Sequence, residues 1–267
     1  MNIFKKYNIK PNKRLGQNFL TDKATVKKII KAANLKSNDI VLEIGPGFGV
    51  LTKQIAKIAK KVIAVEKDSK LCSVFKEELK DYKNVEILNK DILKTNITNY
   101  KLLITDSKII ANLPFYITAP VIRKFLEVKN KPKEMILIVQ KEVAQRITAK
   151  PPKMSILAVS VQVYADSKIL FYISKNSFYP KPKVDAALLR VVPRINADLK
   201  QIDADKFFKI VKVGFKSPRK QLINNLSKEL KIDKEQAATW LEKNNIDPKR
   251  RAETLTIQDW KNLCKML

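Results

Sequence analysis

Three of the five glycines in this 267-residue chain fall within five positions: Gly45, Gly47 and Gly49. They directly follow the apolar run Ile40-Val41-Leu42-Glu43-Ile44. A chain that concentrates glycine at one bend turns tightly there and lets a ligand approach more closely than any Cβ would allow. A strand, a glycine turn and a helix beginning near Val50 together cradle a nucleotide or nucleotide-like cofactor. The spacing is not that of the dinucleotide fingerprint, whose third glycine falls where Val50 stands. Glu66 lies about 20 residues after the first glycine, the interval at which a carboxylate accepts two hydrogen bonds from a ribose diol. Alone it is a solvated acid at a strand end, and the glycine turn at the right distance favours the ribose role. Asp91, in Leu88-Asn89-Lys90-Asp91-Ile92, either accepts from the amino group of an adenine or N-caps a helix. The residues leave both open.

Histidine is absent, which removes Ser-His and Cys-His nucleophilic mechanisms and leaves zinc with too few ligands. We expect no metal. The chemistry must come from positioning, from carboxylates, or from a cofactor that carries its own reactivity. Cys72 and Cys264 are two and far apart, which implies a reducing compartment and no disulfide framework.

The elements that must position these residues alternate along the chain. Strands are expected at 40–44, 62–66, 85–88, 108–111 and 135–139, separated by helical stretches, with helix over 50–59. Continuous apolar strands of this kind build a parallel sheet covered on both faces. Two more strands, 169–173 and 186–192, are joined by a Pro-containing loop, so one of them can run antiparallel. Residues 1–38 are basic and mostly helical, with a loop around 10–20; Pro193 and 196–198 read as a linker, and the pattern is helical from Asp203 onward. This gives a catalytic domain over 1–197 and a helical domain over 198–267. Gly45, Glu66, Asp91 and Asn112 then sit at or just past four successive strand ends, the carboxyl edge where open α/β sheets bind ligands.

Two motifs now acquire a family. The run Glu43-Ile44-Gly45-Pro46-Gly47-Phe48-Gly49 resembles motif I of class I methyltransferases, which bind S-adenosylmethionine. Asn112-Leu113-Pro114-Phe115 resembles motif IV of methyltransferases that modify exocyclic amines. The amine lone pair of adenine N6 is delocalised into the ring and is a poor nucleophile. The side-chain oxygen of Asn112 and the carbonyl of Pro114 would accept its two hydrogens and aim the lone pair at the methyl group. Phe115 offers a stacking face, and Phe178, in Phe178-Tyr179-Pro180-Lys181-Pro182-Lys183-Val184-Asp185, a second one for a base extruded from its stack. Without a family, the Phe178 segment reads as a rigid loop.

The chain as a whole resembles the KsgA (RsmA) family of small-subunit ribosomal RNA adenine dimethyltransferases. The resemblance rests on Leu15-Gly16-Gln17-Asn18-Phe19-Leu20, the two motifs above, the stretch from Gln140 to Arg146, Phe178 to Asp185, Arg219-Lys220-Gln221-Leu222 and Arg251-Ala252-Glu253-Thr254-Leu255. It implies a Rossmann-like sheet with a small all-helical C-terminal domain. It implies donor contacts from Asn18, Leu20, Gly45, Gly47, Glu66, Asp91 and Asn112, and conversion of two neighbouring adenines of 16S rRNA to N6,N6-dimethyladenine in the immature small subunit. Phe115 stands where Tyr is commoner, Lys181 where Pro is frequent and Ala186 where Ser is frequent. Rival readings are the related 23S rRNA methyltransferases of the macrolide-resistance type, a non-catalytic assembly or transcription factor on the same fold, and a nicotinamide-dependent oxidoreductase, which Val50 disfavours.

The formal charge of +28 points to a polyanionic partner, although nearly all the excess is Lys and codon bias would produce the same total. On a helix, Lys206, Lys209, Lys212 and Lys216 share one face opposite Phe207, Phe208, Val211 and Phe215. Arg219 and Lys220 extend that basic side, and Lys249, Arg250 and Arg251 add to it. A solvated lysine face and a phosphate-binding face are equally consistent with the pattern. No apolar run approaches the ~20 residues that span a bilayer, and no signal peptide opens the chain. We therefore expect a cytoplasmic monomer whose partner is ribosomal RNA and not a membrane.

Overall fold

The computed structural model describes residues 2–12, 15–96, 107–194 and 203–265. The expected linker at 196–198 lies outside them. Seven strands form one mixed sheet: β2 (Ile40–Ile44), β3 (Lys61–Glu66), β4 (Val85–Asn89), β5 (Lys108–Asn112), β6 (Glu134–Gln140), β7 (Ala165–Ile173) and β9 (Ala186–Pro193). Their order is β4-β3-β2-β5-β6-β9-β7. The first five are parallel, and β9 runs antiparallel to β6. This is the Rossmann-like architecture expected from the alternating apolar runs. The order reverses between β2 and β5, so the crevice for a ligand opens above those two strands. A separate two-stranded ribbon pairs β1 (Phe19–Leu20) with β8 (Phe178–Tyr179), antiparallel.

Helices α1 (Asn2–Lys6), α2 (Lys23–Ala33), α3 (Val50–Ala56), α4 (Ser69–Glu78), α5 (Thr118–Glu127) and α6 (Lys141–Ile147) accompany this sheet in the sequence. Asp22 caps α2 by accepting from the Ala24 and Thr25 N–H groups, and Asp68 caps α4 by accepting from Lys70 and Leu71. A buried core joins Val26 and Ile29 of α2, Leu51 and Ile55 of α3, and strand residues such as Val41, Val62 and Ile110.

The edge of the sheet away from the crevice is closed by charge. Lys108 opens β5 with its ammonium buried, donating to the Ala33 and Asn34 carbonyls at 3.0 and 2.7 Å. The same ammonium lies 3.2 Å from Asp39 and 3.1 Å from Glu134, and Glu134 also pairs with Arg190 at 2.7 Å. One cation thus ties the end of α2 to the starts of β2 and β6. Removing a single partner from such a buried network is costly because the rest stays charged.

The chain divides into two compact units, 1–144 with 168–193, and 145–167 with 194–267. The second unit contains α7 (Ile156–Gln162), α8 (Ala204–Gly214), α9 (Leu222–Leu230), α10 (Lys234–Lys243) and α11 (Ile257–Lys265). This division departs from the domains 1–197 and 198–267 expected from the sequence, which leave 145–167 in the first. The structure differs because Met154, Ala158, Val159 and Val163 bury themselves in one cluster with Phe207, Val211, Leu226 and Trp260. Gly214 permits the closest contact there. A Cβ on it would stand 2.4 Å from the Trp260 ring. Cys72 and Cys264 are buried free thiols. Among the described residues no helix is long and apolar enough to cross a membrane.

Candidate active site

The register of the parallel strands carries the site. Ile44 lies opposite both Val65 and Ala111, and Glu66 lies opposite Asn89. Gly45, Glu66 and Asn112 therefore reach the same rim. A cleft partly open to solvent lies there. Its walls include Asn18, Leu20, Gly45, Gly47, Glu66, Asp91, Asn112, Pro114, Phe115 and Phe178, every cofactor and catalytic residue expected from the sequence.

The glycine turn shapes the floor. Gly47 has φ +57, and a Cβ on it would meet the Phe19 ring at 2.9 Å. Glycine is needed there both for the left-handed backbone and for the closeness of the ring. At Gly45 the direction a Cβ would take meets only the Asn112 carbonyl oxygen, at 3.7 Å. That space belongs to the cleft and is free for a ligand.

Glu66 is buried, and its oxygens accept from the Asp68 N–H at 2.9 Å and the Gly47 N–H at 3.4 Å. Burial pushes its carboxyl above the usual range, and the two N–H groups pull the other way. Asp91 pairs with Lys67 at 3.0 Å and accepts from the Leu93 N–H at 2.9 Å. Burial would raise its carboxyl, but these partners outweigh it and hold it low. Asp91 opens a short turn, with the Lys94 and Thr95 N–H groups donating to its carbonyl at 3.0 and 2.9 Å.

Asn112 is held by its amide. Its Nδ2 donates to the Asn18 carbonyl at 2.9 Å, and the residue lines the cleft. Asn18 is itself turned back on its loop, donating to the Gly16 carbonyl at 3.1 Å. Gln17 anchors the same loop by donating to Asp68 at 2.8 Å and accepting from the Asn12 N–H at 2.7 Å. The Pro114 carbonyl accepts from the Ile117 N–H at 3.0 Å in the short turn Phe115–Ile117, and a carbonyl keeps a second lone pair for a substrate. Phe115 is half-buried, while Phe178 is only 5% exposed and seated in the core with Leu20. Its burial follows from the β1–β8 ribbon, where Phe178 lies opposite Leu20.

Glu43, which opens the Glu43-Ile44-Gly45-Pro46-Gly47 run, is a site residue that the sequence motifs do not single out. It lines the cleft at 1% exposure, and its Oε2 has no hydrogen-bond partner. Burial pushes its carboxyl up to about 8, and the Glu66 charge adds to this. The neighbouring Thr52 hydroxyl acts in the opposite sense, although Thr52 Oγ1 also lacks a partner. The only sequence signal was its place inside a strand whose neighbours are all apolar.

In the second unit, Lys209, Lys212, Lys216, Arg219, Lys220, Lys249 and Arg251 are exposed. Lys206 is half-buried. Helix α8 ends at Gly214, so Lys216 stands past its last turn and not on the helical face expected for it. Arg250 is turned inward. Its guanidinium donates to the Thr254 hydroxyl at 3.1 Å and to the Thr254 carbonyl, and lies 3.7 Å from Asp259. It is half-buried and held by these groups, unlike its exposed neighbours Lys249 and Arg251.

Comparison with known proteins agrees with this geometry. The family model for ribosomal RNA adenine dimethylase matches residues 8–267. The ribosomal RNA small subunit methyltransferase A of Dehalococcoides mccartyi is 42% identical over 258 residues, covering 97% of this chain and 89% of the relative. That of Clostridium botulinum is 42% identical over 264 residues, covering 98% and 95%. Among solved structures, a dimethyladenosine transferase from Plasmodium falciparum superposes with TM-score 0.78 at 27% identity, over 92% of this chain and 95% of that one. The 23S rRNA methyltransferase ErmE shares the fold, with TM-score 0.72 at 24% identity over 93% and 98%.

Proposed function

Because the chain belongs to the ribosomal RNA adenine dimethylase family, we propose that it transfers methyl groups to the N6 amines of two adjacent adenosines near the 3′ end of 16S rRNA. The substrate in this reading is the immature small ribosomal subunit, and the enzyme is a cytoplasmic monomer of ribosome biogenesis. The relatives at 42% identity over nearly the whole chain are named for the small subunit, which favours this reading over the 23S one.

S-adenosylmethionine, when bound, supplies an electrophilic methyl group on a sulfonium that is its own leaving group. The cleft fits such a donor, since Gly45 leaves open the space a Cβ would fill and Glu66 presents a carboxylate at the neighbouring strand end. Gly45, Gly47, Asn18 and Leu20 would line it, Glu66 would take the ribose hydroxyls and Asp91 the adenine amino group. The observation that carries the reading is the fixed amide of Asn112. With Nδ2 committed to the Asn18 carbonyl, Oδ1 would be the amide atom left to accept from a substrate in the cleft that Asn112 lines. Such preorganisation is a large lever for a transfer whose leaving group the donor supplies. Asn112 Oδ1 and the Pro114 carbonyl then accept the two amine hydrogens, and Phe115 and Phe178 offer faces for the extruded base. Exposed lysines of the second unit supply phosphate contacts.

The test is Asn112→Ala with labelled donor and immature small subunits. Methyl transfer at saturating substrates should fall by about 10²–10³-fold, the usual cost of one oriented polar group at a reacting centre, while RNA affinity persists. Turnover within about threefold of the parent would refute the amine-orienting role.

A further inference from the structure

The rim that holds the cleft continues past Asn112. β9 runs antiparallel to β6, with Ala186 opposite Gln140, so β9 begins at this rim where the parallel strands end. The segment leading into β9, residues 174–185, is therefore delivered to the same edge as the glycine turn. It is firmly fastened there. The Thr21 and Asp22 N–H groups donate to the Ser177 carbonyl at 2.8 and 3.3 Å, and Tyr179 pairs with Phe19. The Lys175 N–H donates to Asp185 Oδ1 at 3.0 Å, and the Lys141 N–H to the Asp185 carbonyl at 3.0 Å.

This fixed segment holds apolar surface out to solvent. Tyr179 is 48% exposed, its ring in edge contact with Phe4 at 4.9 Å between centres, and Val184 is 45% exposed, with exposed Lys181 and Lys183 between them. Beside them the Lys141 ammonium lies 5.0 Å from the centre of the Tyr172 ring, which is 52% exposed. The acids in the neighbourhood are Glu142, exposed next to Lys141; Asp185, half-buried with its Oδ1 already taken; and Asp22, half-buried and occupied in capping α2. The exposed lysines Lys141, Lys181 and Lys183 outnumber the exposed acid, Glu142, and they interleave with exposed rings. That combination suits an unpaired nucleic-acid strand, with lysines on phosphates and rings on bases. Paired RNA offers no base faces to such rings. Phe178, in the cleft wall, precedes Lys183 by five residues, at most about 18 Å of chain.

We propose that Lys141, Tyr172, Tyr179, Lys181, Lys183 and Val184 form a track for the single-stranded RNA that flanks the target adenine. This rests on the adenine-modifying reading of the adjacent cleft. It places an RNA contact on the catalytic unit itself, in addition to the lysines of the helical unit.

The experiment uses the full chain with Lys181→Gln and Lys183→Gln together. Binding of a short single-stranded RNA containing the target adenines is followed through a salt titration. Each phosphate neutralised on a single strand contributes about 0.7 to the slope of log affinity against log salt, so the slope should fall by about 1.4. Donor affinity should stay as in the parent, which shows that the fold is intact. In parallel, 2-aminopurine beside the target should lose its protein-induced fluorescence change in Tyr179→Ala. An unchanged slope overturns the proposal. So does a defect seen on whole subunits but not on the RNA, which would put a ribosomal protein on this surface. A slope change in a protein that methylates no RNA would overturn the cleft reading and leave the track standing.

Discussion

Replacing Glu43 by Gln isolates the most unusual titration in the molecule. The carboxyl is fully enclosed, its Oε2 has no partner, and burial raises it from about 4.5 to about 8. In the unfolded chain it ionises near its ordinary value. A raised carboxyl favours the fold fully at pH below the unfolded value, where both states are protonated. That advantage is lost as pH rises through the window between the two values, because only the unfolded state gives up its proton freely. Above about 8 the buried group must ionise as well, and the loss levels off. Between about pH 5 and pH 9 the linkage is worth on the order of 4 kcal/mol. For a unit of this size that is roughly 8–16 °C in melting temperature. Glutamine keeps the shape and cannot titrate. The measurement is thermal unfolding of parent and Glu43→Gln across that range, read as the difference between the two so that all other titrations cancel. The variant should gain on the parent steadily as pH rises. Parallel curves would mean that Glu43 is already ionised in the fold, held by a cation or water, and the burial argument would fail.

Three further outcomes follow from the packing. Gly47→Ala should weaken donor binding at least tenfold by calorimetry while leaving RNA affinity alone, since φ +57 costs an L-residue about 1–2 kcal/mol and the new methyl meets Phe19; equal affinity would show that the turn has room to spare. Gly214→Ala should lower the denaturation midpoint of the helical unit, because a methyl 2.4 Å from the buried Trp260 ring costs more than the ~1 kcal/mol that alanine returns to a helix; a midpoint at or above the parent's would contradict it. Lys209→Glu with Lys216→Glu should weaken small-subunit binding and flatten its salt dependence, and an unchanged titration would remove that surface from the interface.

Much of this was legible because one physical rule placed it. Apolar runs of strand length separated by helical stretches put 40–44 where β2 lies and the other parallel strands within a residue of their ends. Once the strands are parallel, polar residues at their carboxyl ends must meet at one rim, and Gly45, Glu66, Asp91 and Asn112 do line one cleft. What escaped was information that periodicity does not hold. The β1–β8 ribbon has two residues per strand, too few to show an alternation. Residues 145–167 carry apolar positions that fit either unit, and only the buried cluster around Phe207 decides between them. Arg250 looks like its neighbours in composition, but a turn at Thr254 brings acceptors to its guanidinium. Projecting Lys216 onto a helix assumed that the helix outlasts Gly214, and the chain turns there instead. For Glu43 the sequence offers one signal, its place between apolar neighbours in a strand, and that signal does not say whether a partner meets the carboxyl.

The ammonium of Lys108 has a counterpart in what the opposite edge lacks. At the starts of the strands, one cation meets two carboxylates and two carbonyls, and polar demand is settled within the protein. In the first unit, the described buried side-chain atoms left wanting are Glu43 Oε2, Thr52 Oγ1 and Thr118 Oγ1, all on elements that border the other end. The molecule has thus sorted itself into a self-sufficient base and a rim with unmet polar demand, and of the three residues it is Glu43 that also lines the cleft.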